Sequence, residues 1–262
     1  MRVSDKKLTL KSRAKTFYFA SLFFSKEIRL DIEDLYLFCR YADDISDSSN
    51  ISTKEAKKNL PKHIPVAAVS TGFPAGLSSF KTRKLEITES IKNGADEIDI
   101  VINRGFVLQN NWKKLYQEVR DFKKAAKTKH IKAILGVGDL ETLRNVAKAS
   151  MVCMMAGADF IKTSTGKESI NANLNNSLVM LRMIRHFYQM TGKKIGFKPA
   201  GGISTAKTVI EFLILVMEEL GHEWINPKYL RIGASSLLID IERQLYHFAL
   251  GRYANKEKLA IG

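Results

Sequence analysis

From Val66 onward the apolar residues of this chain switch repeatedly between two periods. Short β-rich runs (V-A-A-V-S-T, E-I-D-I-V-I-N, I-K-A-I-L-G-V, D-F-I-K-T-S-T, I-G-F-K-P-A and Y-L-R-I-G-A) are separated by stretches of helical spacing, such as residues 82–93, 112–128, 140–156 and 174–191. Strand and helix in regular alternation predict a parallel sheet or barrel. Upstream the pattern differs. Phe17, Ala20, Ser21 and Phe24, then Ile32, Leu35, Tyr36 and Cys39, recur at three-to-four spacing, which predicts two amphipathic helices between residues 15 and 47. The stretch 48–64 is polar and charged and ends against Pro65. A helical segment at 1–50, a linker at 51–64 and a larger unit at 65–262 follow from that break.

The runs carry charges where strands are usually apolar. A period of two puts Phe160 and Lys162 on one face of D-F-I-K-T-S-T, and Ile161 and Thr163 on the other. An ammonium buried without partners costs several kcal/mol and lowers its pKa instead, which makes the amine a nucleophile. The competing reading is a strand-end lysine that snorkels to solvent. Lys198 in G-F-K-P-A-G-G repeats the arrangement. Two ammonium groups converging on one cavity disfavour each other's charge, so one amine can be neutral near pH 7, as imine formation requires. In E-I-D-I-V-I-N, Glu97, Asp99 and Val101 lie opposite Ile98, Ile100 and Ile102. A carboxylate there must find a cation or a donor; the candidates are Lys162 and Lys198, with Lys132 a further one. Gly201 and Gly202 follow the strand of Lys198, and I-G-A-S-S-L, with Gly233, Ser235 and Ser236, ends a strand and opens a helix. Backbone N–H groups in such turns form an anion site, and the last two loops of a barrel are its usual phosphate site.

Composition narrows the partners. The chain has 262 residues, 45% of them hydrophobic, and a formal charge of +15, which is enough for a large core and favours anionic partners. Its basic residues are dispersed, so small phosphorylated metabolites are preferred to nucleic acid. Cys39 and Cys153 match no disulfide or metal spacing and read as core residues of a reducing, cytoplasmic compartment. No apolar run approaches the length of a membrane span, and the basic N-terminus lacks the apolar region of a secretory signal.

From residue 66 to 262, the strings S-T-G-F-P-A-G, G-A-D-E-I-D-I-V-I-N-R, M-M-A-G-A-D-F-I-K-T-S-T-G-K-E, K-I-G-F-K-P-A-G-G and R-I-G-A-S-S-L-L-I-D-I-E-R-Q strongly resemble the deoxyribose-phosphate aldolase family. The resemblance implies a TIM (β/α)8-type barrel working without metal or cofactor. It also implies reversible Schiff-base cleavage of 2-deoxyribose 5-phosphate to glyceraldehyde 3-phosphate and acetaldehyde, in deoxyribonucleotide catabolism. Lys162 would be the imine-forming nucleophile, Lys198 would tune its pKa, and Asp99 would work with Lys198 in proton relay. Thr165, Gly166, Lys167, Gly201, Gly202, Gly233, Ser235 and Ser236 would hold the substrate and its phosphate.

The chain departs from that pattern upstream. Only six of the eight β/α units are present; the first two are replaced by a segment at about 8–50, K-T-F-Y-F-A-S-L-F-F-S-K-E-I-R followed by L-Y-L-F-C-R-Y-A-D-D-I-S-D, that resembles the start of the squalene and phytoene synthase family. There, Asp43 and Asp47, one helical turn apart, would bind magnesium and a prenyl diphosphate, but no second aspartate-rich motif follows. Ser204 stands where an arginine is common, and G-V-G-D-L where A-T-G-E-L or E-T-G-E-L is usual. The C-terminal tyrosine of some members is missing. Two other readings therefore stand beside the aldolase, an inactive fusion remnant and a prenyl-diphosphate-binding protein. An incomplete barrel would leave sheet edges open to self-association.

Overall fold

Five of the six β-rich runs form strands in the computed structural model, which describes residues 65–254 together with positions 25, 26 and 29. The helices expected between residues 15 and 47, with Asp43 and Asp47, and the linker at 51–64 lie outside the described residues. The chain divides into two units: one comprises residues 65–203 and 207–234, and the other includes residues 204–206 and 235–254 among those described.

In the larger unit, β1 (Ala67–Ser70), β2 (Glu97–Val101), β3 (His130–Ile134), β4 (Phe160–Lys162) and β5 (Gly196–Lys198) make a parallel sheet in sequence order. The sixth run continues it without becoming a strand. Leu230 and Gly233 bridge in parallel to Phe197 and Ala200, through Phe197 N–H to Tyr229 O at 2.8 Å and Gly233 N–H to Pro199 O at 2.8 Å. Each strand is followed by helix, as expected of parallel pairing: α1 (Phe80–Lys92), α2 (Arg104–Leu108) with α3 (Trp112–Ala126), α4 (Leu143–Met155), α5 (Leu174–Thr191) and α6 (Ala206–Leu220). Five of these begin where a Ser, Thr or Asn side chain accepts an otherwise unpaired N–H: Ser79 from Thr82, Asn103 from Gly105, Asn111 from Lys114, Thr142 from Asn145 and Asn173 from Asn176. Helix α5 stops at Gly192, which takes φ +69°, a left-handed conformation that glycine adopts without cost.

The main core lies between sheet and helices. Ile98, Ile100, Ile131, Ala133, Ile161 and Phe197 supply its sheet side, and Leu115, Val119, Phe122, Met180 and Ile184 its helical side. The opposite face of the sheet is built in layers set by register. Val69, Asp99, Lys132, Phe160 and Gly196 align across the five strands. One layer nearer the strands' C-terminal ends are Val101, Ile134, Lys162 and Lys198. Gly196 is required by its neighbour, because a Cβ there would come within 2.2 Å of the Phe160 ring. This face is concave: Arg231, on the sixth run, reaches Glu97 of β2 at 3.2 Å.

The smaller unit, among its described residues, contains α7 (Leu237–Leu250), closed by Gly251 at φ +67°. Within it Ala206 N–H donates to the Asp240 carboxylate at 2.8 Å.

Candidate active site

Asp99 is the hub of the concave face. It is 1% exposed and all three candidate lysines converge on it: Lys132 donates to Oδ1 at 3.0 Å, while Lys162 at 2.9 Å and Lys198 at 2.7 Å share Oδ2. The register explains the geometry. Lys132 lies level with Asp99, whereas Lys162 and Lys198 stand side by side one layer above and lean down to it. The face assigned to each residue by strand period is thus the face it occupies. Lys132 also holds Glu97, at 2.7 Å, and Glu97 in turn meets Arg231. Buried carboxylates and ammoniums here are paired, as their desolvation demands.

The electrostatics follow from the count of charges. Burial by itself would raise the Asp99 pKa, yet Lys162, Lys132 and Lys198 outweigh it and hold the carboxyl well below the usual carboxylate range. Burial pushes the Lys198 amine below its ordinary value; Asp99 opposes that shift, and the Lys162 and Lys132 charges add to it. Burial thus favours the uncharged form at Lys198, which shares an oxygen with Lys162. Two amines on one carboxylate can exchange a proton, and an amine freed of its proton can attack a carbonyl.

The loops beyond β4 and β5 meet at the mouth of this face. Thr163 Oγ1 and Ser164 Oγ both donate to Ala200 O, at 3.0 and 2.6 Å. Gly166 and Gly201 have φ of +84° and +87°, and a Cβ on Gly166 would lie 3.8 Å from the Gly201 Cα. Gly202, also at positive φ, has open space where its side chain would be. Gly166, Lys167, Gly201 and Gly202 are thus brought to one place, while Gly233 packs against Ala200, 2.6 Å from where its Cβ would stand. Thr165 spends both its N–H and its hydroxyl on Glu168. Ser235 and Ser236 belong to the smaller unit, where Ser236 precedes α7. Their assignment to the phosphate rests on sequence resemblance alone. Among the described residues no three His, Cys, Asp or Glu side chains gather as a metal site, and no helix is long and apolar enough to cross a membrane.

One expected partner and one unforeseen residue complete this picture. Lys132, a further candidate partner of Asp99 from the sequence, is the most buried of the three lysines and bridges Glu97 and Asp99. Arg104, at the end of I-V-I-N-R, joins the loops around the mouth by contacts to Ala75 O, Asp139 and Glu168. The alternation of β2 and β3 already put Glu97 and Lys132 on the faces they share; no local signal marks Arg104.

Comparison with known proteins gives two family matches. Residues 54–240 match the DeoC/LacD family aldolases and residues 10–65 match squalene/phytoene synthase; the two overlap at 54–65. The chain is 59% identical to the deoxyribose-phosphate aldolase of Homo sapiens over 200 residues, covering 76% of this chain and 63% of that protein. To the mouse enzyme it is 60% identical over 191 residues, 73% of this chain and 60% of the other. It therefore spans about three fifths of the length of these relatives. A structure of the tetrameric deoxyribose phosphate aldolase from Aeropyrum pernix superposes with a TM-score of 0.53 at 22% identity, covering 72% of this chain and 70% of that one, a likeness of fold.

Proposed function

This chain belongs to the DeoC/LacD family of aldolases, and we propose that it cleaves 2-deoxyribose 5-phosphate through an imine on Lys162. The observation that carries the reading is the pair of amines, Lys162 and Lys198, on one oxygen of a buried aspartate. Lys198, held towards its neutral form by burial, takes the proton of the Lys162 ammonium, with Asp99 as the anion both amines share. The freed Lys162 amine attacks C1 of the open-chain sugar, and loss of water gives a protonated imine. Lys198 returns its proton to the departing water and then takes the proton of the C3 hydroxyl; the C2–C3 bond breaks, its electron pair flows into the imine to leave an enamine, and Lys198 later delivers that proton to C2. Glyceraldehyde 3-phosphate departs; protonation of the enamine at C2 and hydrolysis release acetaldehyde and the amine. The iminium nitrogen is the electron sink. Asp99, with its proton affinity so depressed, acts as a fixed anion that orients both amines.

The phosphate is assigned to the loop pair Gly166–Lys167 and Gly201–Gly202, with Gly233 beside them, where backbone N–H groups at positive-φ glycines suit an anion. We read the larger unit as the last six units of an eight-unit barrel. Val69 shares a face with Asp99 yet is 48% exposed, as a strand would be whose preceding neighbours are absent. The match at 10–65 supports a separate origin for the N-terminal segment. The reading extends to a cytoplasmic protein that meets a small phosphorylated sugar and associates with copies of itself through its open sheet edge.

Borohydride trapping tests the proposal. Protein incubated with acetaldehyde, reduced and digested should carry one ethyl group, on Lys162, and Lys162→Ala should carry none. An adduct on Lys198 would transfer the nucleophile's role to that residue, and no selective adduct would overturn the aldolase reading.

A further inference from the structure

The geometry points to Arg104 as a positioning residue for the anion-binding loop, an inference that rests on the phosphate assignment above. Its guanidinium sits at the mouth of the concave face and gathers three loops besides its own. Nη1 lies 3.2 Å from Glu168 Oε1 and 3.3 Å from Asp139 Oδ2, and Nη2 donates to Ala75 O at 3.0 Å. The planar, multi-donor shape of arginine permits this; a lysine has no such fork. The loop after β3 makes room for it, because a Cβ on Gly136 would stand 2.7 Å from the Arg104 Cδ.

Glu168 is the link to the anion loop. Its side chain is almost fully buried, and it fastens the turn that carries Gly166 and Lys167 by accepting from Thr165 N–H at 3.0 Å and Thr165 Oγ1 at 2.8 Å. That puts a buried carboxylate two residues from Gly166, where a dianionic ligand is to bind. Among the described residues, Arg104 supplies the one cation paired with Glu168. Without the guanidinium the carboxylate would be uncompensated, would repel the incoming phosphate, and would leave its buried position and release the turn. Arg104 thus acts on affinity for the phosphate through Glu168, at a distance from the amines that do the chemistry.

The test uses the full chain with inorganic phosphate in a calorimeter, and acetaldehyde with borohydride as a phosphate-free measure of Lys162. Arg104→Ala should weaken phosphate binding about tenfold, and Arg104→Lys should recover part of the loss. Adding Glu168→Gln to Arg104→Ala, which removes the orphaned charge, should bring affinity back to within roughly threefold of wild type. Labelling of Lys162 should stay at the wild-type level in all three. Unchanged phosphate affinity in Arg104→Ala would overturn the inference, as would a joint loss of affinity and labelling that Glu168→Gln does not reverse. A wild-type protein that labels on Lys162 but binds no phosphate would overturn the anion-loop assignment and this inference together, leaving the nucleophile intact.

Discussion

Replacing Lys132 with methionine separates the cost of the buried charge cluster from the cost of ordinary packing. The substitution keeps the length and most of the volume of the side chain and removes only the ammonium. Lys132 is 1% exposed and spans Glu97 at 2.7 Å and Asp99 at 3.0 Å. Breaking a buried ion pair by removing one partner costs roughly 3–5 kcal/mol. The lower end applies here, since Glu97 retains Arg231 and Asp99 retains Lys162 and Lys198. A loss of about 3 kcal/mol in a unit of this size lowers the melting temperature by roughly 6–12 °C. Lys129→Met is the control. Its partner Asp96 lies 3.3 Å away with both side chains about a third exposed, so solvent screening leaves an effect below about 1 kcal/mol. Thermal melts followed by circular dichroism at neutral pH compare the two. A Lys132→Met protein that melts within about 2 °C of wild type would refute the claim that the cluster's charges depend on one another.

Two further outcomes follow from the same face. Because the folded-state pKa of Lys198 is lowered, the unfolded chain binds more protons between that value and the ordinary lysine value of about 10.4; stability should therefore rise with pH across that window. Denaturant melts at a series of alkaline pH values should show the rise in wild type and lose it in Lys198→Met; an identical slope in both would contradict the shift. Gly196→Ala should destabilise by roughly 1–3 kcal/mol, since its Cβ would come within 2.2 Å of the Phe160 ring, and Phe160→Leu in the same chain should recover most of it, as read from urea midpoints.

Sequence pattern sufficed for the alternation of strand and helix and for which face each strand residue occupies, because a strand's period of two is a local property. It did not give strand ends. D-F-I-K-T-S-T reads as a seven-residue run, but β4 is only Phe160–Lys162. Thr163 and Ser164 turn their hydroxyls onto Ala200 O in the loop after β5, 37 and 36 residues away, contacts that no local pattern announces. Nor could it give register: a slip of one residue between β2 and β3 would have sent Lys132 to the convex face. Arg104 and Glu168, 64 residues apart, meet only because four loops converge on one end of the sheet.

The charge balance of the concave face explains why three lysines can share one aspartate. Arg231, Lys132, Lys162 and Lys198 face Glu97 and Asp99, so the cations are in excess. In a buried cluster such an excess is relieved most cheaply by removing a proton from the amine that is already disfavoured as a cation. Burial first, and the Lys162 and Lys132 charges with it, lower the Lys198 pKa against the pull of Asp99. Asp99 could not take this role, since its three ammonium neighbours keep it ionised far below neutral pH. Lys132, held between the two carboxylates at the base of the layer, adds its charge to the influences that lower the Lys198 pKa. A residue with no place in the bond-breaking steps thus helps determine which amine is free to act.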